Sequence, residues 1–285
     1  MFTGNTIWQR LYRLLAPHAN QEIKQKIDQY CMTPVNCLGT DAFDLDPQAL
    51  EVCLHVAWWL YRNYFRVQVH GWQHVPQGPM IVAGNHSGHL PFDGMMIGTG
   101  FLLDSPQPVL LHSMVDRRVS RIPFVSTLFA RVGQITGSRQ VCQQLLQAGK
   151  SVLVFPEGMA GICKPFSQRY QLQRFGHGFV KIAMHTGCPI VPLALIGAEE
   201  QAIAVADIKP LAKLFHLPHW PLILPQLFVP IPLPVRYTLH IGKPIRFGRK
   251  QAAPSDKTVT HALQRVKQSI RTLIADGLHK RQTIF

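Results

Sequence analysis

The chain has 285 residues, 47% of them apolar and 9% aromatic, enough to build a full core, so disorder is excluded and one α/β domain with an N-terminal helical extension is expected. Lys and Arg number 29 against 15 Asp and Glu, a formal charge of +14, which suits contact with an anionic surface, either nucleic acid or phospholipid headgroups. The excess is concentrated late: residues 201–285 carry 13 Lys or Arg against Asp207, Asp256 and Asp276.

No run of 18 apolar residues exists, so a spanning helix is not expected. Residues 1–16 mix Arg10 and Arg13 with Ile7, Trp8, Leu11, Leu14 and Leu15, a helical spacing without the apolar block of a secretory leader, and a cytosolic location follows as the expectation. The six cysteines (Cys31, Cys37, Cys53, Cys142, Cys163, Cys188) are scattered without metal-ligand spacing, so neither a zinc site nor a disulfide frame is signalled.

A second helix is predicted from Pro47 to about Phe65. It ends in Trp58, Trp59, Tyr61, Tyr64 and Phe65 interleaved with Arg62 and Arg66, a mixture that suits either a membrane interface or the covering of the next core. Residues 1–65 are therefore read as a helical, membrane-apposed extension. From Arg66 short strands alternate with helices: strands at Val67–Gly71, Met80–Gly84, Val109–Leu111, Ser151–Phe155 and Pro189–Ile196, with helices at 121–132, 141–148 and 178–186. That alternation predicts a mostly parallel central sheet flanked by helices, with its site at the carboxyl ends of the strands. Residues 216–235 hold six prolines among Leu, Ile, Phe and Trp, which forbids a regular helix and predicts an apolar excursion. A last strand, Arg236–Ile241, closes a 66–250 domain before a basic C-terminal segment, 251–285, with a helix at Val259–Leu278.

The strand Met80–Gly84 runs straight into Asn85-His86-Ser87-Gly88-His89-Leu90-Pro91-Phe92-Asp93-Gly94. A His and an Asp on one loop at a strand end can act as a general base and its orienting partner. Among fourteen histidines, His86 is singled out by the buried strand before it and the Asp after it. The next strand ends in Phe155-Pro156-Glu157-Gly158, where Glu157 can take a substrate hydroxyl or hold a basic residue. Between them, Gly137-Ser138-Arg139 combines backbone that can approach an anion with an arginine that can hold phosphate. Gly149-Lys150-Ser151 fails as a phosphate loop because Gln144 stands where glycine is required. Ser87 does not sit in a nucleophile elbow.

In order, Asn85-His86…Asp93-Gly94, Gly137-Ser138-Arg139, Phe155-Pro156-Glu157-Gly158 and Pro189-Ile190-Val191-Pro192 resemble the four blocks of the glycerolipid acyltransferase superfamily. They are most similar to its bacterial lysophospholipid branch related to monoacylglycerol acyltransferases. The resemblance implies transfer of a fatty acyl group from acyl-CoA or acyl-carrier protein to a lipid hydroxyl, with no covalent acyl-enzyme, metal or other cofactor. It makes His86 the base and Asp93 its partner, and it assigns Asn85, Gly137, Ser138, Arg139, Phe155, Pro156 and Glu157 to substrate binding. Gly158, Val191 and Pro192 would shape the acyl pocket. Six residues separate His86 from Asp93 where the superfamily usually has four, and three separate His89 from Asp93; the base is assigned to His86, which keeps the Asn-His pairing after the strand. Rival readings are a lipid-binding or lipid-transfer protein without catalysis and a hydrolase on the same fold. The expected partners are an acyl donor, a lipid acceptor and an anionic membrane surface, met peripherally on its cytoplasmic face, and no nucleic acid.

Overall fold

A computed structural model describes residues 21–30, 40–86, 92–115, 125–214, 221–224, 231–248 and 254–285. Among them the strands are β1 (Gln68–His70), β2 (Ile81–Gly84), β3 (Leu111–Val115), β4 (Ile135–Thr136), β5 (Ser151–Val154), β6 (Ile190–Ile196), β7 (Ile203–Asp207), β8 (Pro221–Leu224) and β9 (Thr238–Ile241). The helices are α1 (Gln21–Tyr30), α2 (Pro47–Trp59), α3 (Phe92–Thr99), α4 (Val125–Arg131), α5 (Arg139–Gln147), α6 (Met159–Ile162), α7 (Gly178–Thr186), α8 (Lys209–Leu214) and α9 (Asp256–Lys280).

Seven strands form one sheet in the order β1-β9-β6-β2-β5-β3-β4. The five from β6 to β4 are mutually parallel, whereas β9 runs antiparallel to β6 and carries β1 parallel to itself. The parallel strands are apolar throughout because helices cover both of their faces, and period-two alternation divides their side chains between two cores. Ile81, Ala83, Val152, Val154, Ile190 and Ala194 pack on one face against α5, α7 and α9. Met80, Val82, Leu153, Val191, Leu193 and Leu195 pack on the other, with Ala57, Tyr61 and Phe65 from the α2 side and Met96, Ile97 and Phe101 from the α3 side. A smaller cluster of Ile23, Ile27, Leu50 and Leu54 joins α1 to α2.

Helix α2 starts where Asp46 accepts from the backbone N–H of Gln48 (3.0 Å) and Ala49 (3.2 Å) ahead of Pro47, a side-chain cap with proline in the first turn. Both α2 and α3 continue into a π-helical turn, Leu60–Tyr64 and Gly100–Asp104, and the two turns are tied by the Tyr61 hydroxyl donating to Asp104 at 3.0 Å. The Tyr61 side chain is wholly buried, so of the two placements the sequence leaves open for it, it takes the core.

Three further differences from the sequence reading bear on the site. Asp93 is not on a loop but in the first turn of α3, whose glycines disguise a helix that buries Met96 and Ile97. The Gly137-Ser138-Arg139 block directly follows a strand the sequence does not signal, β4, and the strand expected at 109–111 lies at Leu111–Val115, where buried His112 and Ser113 interrupt the apolar pattern. Within 216–235, Pro221–Leu224 pairs antiparallel with β7 in a separate two-stranded sheet. The helix expected within residues 1–16, Cys31, Cys37, Ser87 to Pro91 with His89, and residues 116–124 lie outside the described residues. No helix among the described residues is long and apolar enough to cross a membrane.

Candidate active site

The parallel register Gly84↔Leu193 ends the β2–β6 ladder, and the next residue extends it by side chain. Asn85 donates from Nδ2 to Leu195 O (3.0 Å) and accepts at Oδ1 from Leu195 N–H (2.8 Å), so its amide imitates a peptide and fixes where the chain leaves the sheet. Asn85 has no exposure, and its expected role in touching substrate is corrected to that of a clamp.

His86 follows. Its Nδ1 lies 2.5 Å from Asp93 Oδ2, with Asp93 1% exposed and the imidazole side chain 15%. The other Asp93 oxygen accepts from Gly94 N–H at 2.7 Å. The α3 N-terminus thus presents a carboxylate to the ring, a favourable sign of charge for that end of a helix. The Phe155 ring stacks on the imidazole, with centroids 4.1 Å apart and planes at 10°, which fixes the ring plane and leaves its far edge to the site. With Nδ1 engaged by Asp93, the ring has the geometry that a base with an orienting carboxylate would need.

Glu157, at the carboxyl end of the neighbouring β5, holds backbone. It is 5% exposed; Oε1 accepts from His86 N–H (3.1 Å) and Oε2 from Gln173 N–H (2.6 Å). Of its two sequence roles, the structure shows the hold on a basic residue: Lys164 Nζ lies 3.6 Å from Oε2 and 3.0 Å from Glu199 Oε1. Burial pushes the Glu199 carboxyl up, against the opposing pull of Lys164 and the Tyr170 N–H. Sequence reasoning missed Lys164, Gln173 and Glu199. The available signal was a Glu-Glu pair just past the β6 terminus in a chain with few acids.

Gly161 in α6 closes this floor. A Cβ there would stand 2.9 Å from the Cβ atoms of both His86 and Glu157, so only glycine admits the approach. Gly158, exposed at φ 56° and ψ −145°, makes the turn into α6. Val191 and Pro192, expected beside an acyl chain, are buried within β6, Val191 in the core on the α2/α3 face; they shape the sheet under the site and do not line it.

The Gly137-Ser138-Arg139 block is carried to the same edge. Gly137 N–H donates to Val115 O at 2.8 Å, and Gly176 N–H donates to Pro156 O at 2.9 Å. Arg139, exposed in the first turn of α5, abuts Gly178 at the start of α7. A cavity of about 360 Å³ opens here, lined by Phe43, Val115, Phe129, Ile135, Ser138 and Val141 among others. Because β5 and β3 lie side by side, this cavity begins roughly 10 Å along the edge from β2 at about 4.8 Å per strand. The structure therefore brings His86, Asp93, Phe155 and Glu157 into direct contact, with Ser138 and Arg139 further along one edge. Cys53, Cys142 and Cys188 are free thiols.

Residues 66–196 match the family model Acyltransferase. An uncharacterized protein of Mycobacterium tuberculosis is 34% identical over 256 residues, covering 87% of this chain and 72% of that one. A mouse protein described as a DGAT1/2-independent enzyme synthesizing storage lipids is 23% identical over 225 residues, covering 75% of this chain and 66% of its own. In fold, the crystal structure of the 1-acyl-sn-glycerophosphate acyltransferase PlsC from Thermotoga maritima superposes with a TM-score of 0.54 at 15% identity, covering 98% of each chain. The ordered blocks, the helix-flanked parallel sheet that carries them and these matches agree, and the chain belongs to the glycerolipid acyltransferase superfamily as an acyltransferase.

Proposed function

We propose that this acyltransferase moves a fatty acyl group from a thioester, acyl-CoA or acyl-carrier protein, to a hydroxyl of a lysophospholipid, glycerol phosphate or related lipid acceptor, with His86 as the general base. The observation that carries the reading is the 2.5 Å contact between His86 Nδ1 and the buried Asp93 carboxylate. Nε2 takes the proton of the acceptor hydroxyl as its oxygen bonds to the thioester carbonyl. The tetrahedral intermediate then expels the thiolate, which recovers that proton from the imidazolium. Asp93 favours the imidazolium at both steps.

Arg139 is the group suited to a phosphate on the acceptor, and the cavity beside Ser138, walled by Phe43, Phe129 and Ile135, suits an acyl chain. We also propose peripheral binding to an anionic membrane on its cytoplasmic face, and the side chains at this edge support the contact with a membrane. Because β9 pairs Thr238 with Ile196 in antiparallel register, residues 231–237 lie beyond the carboxyl end of β6, the same edge as His86. Ile231 is 55% exposed there, and Trp59, 56% exposed, reaches it through Tyr64, whose ring is 6.4 Å away and whose hydroxyl donates to Pro232 O. Exposed Arg62 lies over the Trp58 ring, 5.5 Å from its centroid, and Arg66 donates to Pro234 O at 2.6 Å, a mixture of basic and aromatic groups that an interface favours.

The test is mass spectrometry of purified protein with acyl-CoA and a panel of lysophospholipids, monoacylglycerol and glycerol phosphate. The reading requires thioester consumption that depends on one acceptor and yields its new ester. Thioester loss indifferent to every acceptor would make the protein a hydrolase.

A further inference from the structure

We propose that Lys164 is a positioning residue for acyl transfer, its buried ammonium joining the two carboxylates that meet the Asn85 side-chain amide and the His86 backbone N–H. The inference rests on the assignment of His86 as base and extends it to a residue that cannot touch substrate, since the Lys164 side chain is 4% exposed.

Lys164 Nζ lies between Glu199 Oε1 (3.0 Å) and Glu157 Oε2 (3.6 Å) and donates to Gln171 O at 3.4 Å. Each carboxylate has a second task. Glu157 receives the N–H groups of His86 and Gln173. Glu199 receives the Tyr170 N–H at 2.8 Å and faces Asn85 Nδ2 at 3.5 Å. The two residues that place the imidazole are therefore both attached to one cluster of two anions and one cation. The cluster draws together three chain segments distant in sequence: the end of β2, the 157–173 connection and the turn after β6.

Stability alone is a poor reason for such a cluster, because desolvating three charges costs about what their attraction returns, and apolar side chains of equal volume often do better. What the cluster adds is geometry. Without the ammonium nothing ties Glu157 to Glu199, whatever their charges, and where both stay charged one must also take a proton or swing away. Either response loosens the Glu157 hold on His86 N–H and shifts Nε2 relative to the bound acceptor. Displacements near 1 Å cost roughly 100-fold in rate.

The test uses the full chain with the donor and acceptor found active in the screen, comparing Lys164→Met, Glu199→Gln and the double variant. Melting temperature is measured for each, and rates are taken per folded molecule. Lys164→Met should lower kcat roughly 10- to 100-fold with both KM values within about twofold of wild type. The double variant, which restores the net charge of the cluster, should regain melting temperature but not kcat. Glu199→Gln keeps the ammonium and should fold even where Lys164→Met does not, with kcat reduced at least about fivefold. Wild-type kcat in Lys164→Met, kcat that returns together with stability in the double variant, a loss confined to acceptor KM, or wild-type kcat in Glu199→Gln where Lys164→Met fails to fold would each overturn the proposal. If His86→Ala is inactive while these variants are normal, only the role of Lys164 falls; if His86→Ala is active, the base assignment falls with it.

Discussion

Gly161→Ala is a one-methyl change aimed at the packing that fixes the base. The added Cβ would stand 2.9 Å from His86 Cβ, 2.9 Å from Glu157 Cβ and 3.1 Å from His86 O, against the roughly 3.5–4.0 Å at which carbon atoms rest. Relief requires a separation of about 0.6–1 Å, shared between α6 and the His86 backbone. The His86–Asp93 contact at 2.5 Å and the His86 N–H bond to Glu157 at 3.1 Å both lie on the segment that must move. Alanine gains about 1 kcal/mol over glycine in helix propensity, while overpacking costs about 1–3 kcal/mol, so stability should drop by no more than about 2 kcal/mol. Catalysis is the more sensitive readout: a base displaced by nearly 1 Å should lose roughly 100-fold in kcat. Steady-state acyl transfer and a melting curve on one preparation separate the two. A variant with kcat within about threefold of wild type and unaltered melting would refute the claim that this contact positions His86.

Asp93→Asn should lower kcat by roughly 10²–10⁴-fold with little change in donor KM, since it keeps the side-chain shape but removes the charge that favours the imidazolium; normal kcat would dismiss the pair as the catalytic unit. His112, 1% exposed, and His240, 8% exposed, have pKa values lowered to about 4 by burial. The folded state thus binds fewer protons than the unfolded one, so their contribution is full above about pH 6.5 and is lost as pH falls toward 4, at up to about 1.4 kcal/mol per pH unit for each. Denaturant midpoints should fall between pH 7 and pH 5 and fall less in His112→Leu; flat midpoints would remove both histidines from the account. Trp59→Ala should weaken cosedimentation with anionic vesicles at every salt concentration. Trp58→Ala should chiefly lower stability, because Trp58 stacks on buried Tyr61 with centroids 5.4 Å apart. Equal vesicle binding by both variants and wild type would detach these aromatics from the membrane.

The sheet was legible wherever a strand is buried on both faces: β2, β5 and β6 are continuous apolar runs that end in a turn signal. Helix α3 was not, since Gly94 and Gly98 weaken its propensity and it is held by burial of Met96 and Ile97, a tertiary effect. Two-residue β4 is too short to show a period. The His86–Asp93 contact was anticipated from order along the chain, although their six-residue separation gains its geometry only when α3 turns Asp93 back toward β2. Asn85 is expected at a substrate and Glu157 either there or on a basic residue, but both side chains are buried against the chain, and a sequence does not reveal which polar side chain is buried. The Lys164–Glu199 pair is not legible for a different reason: it joins segments 35 residues apart, and only the Glu199-Glu200 doublet marks one end of it.

The most direct test of the central claim is the rate of ester formation by His86→Ala beside wild type, with the thioester donor and the acceptor identified in the screen. The His86 side chain is 15% exposed, stacked on Phe155 and paired with buried Asp93, so melting is measured on the same preparation and rates are taken per folded molecule; transfer should fall by roughly 10²–10⁴-fold. A folded His86→Ala protein that transfers acyl groups within about tenfold of wild type would contradict the account and move the base elsewhere.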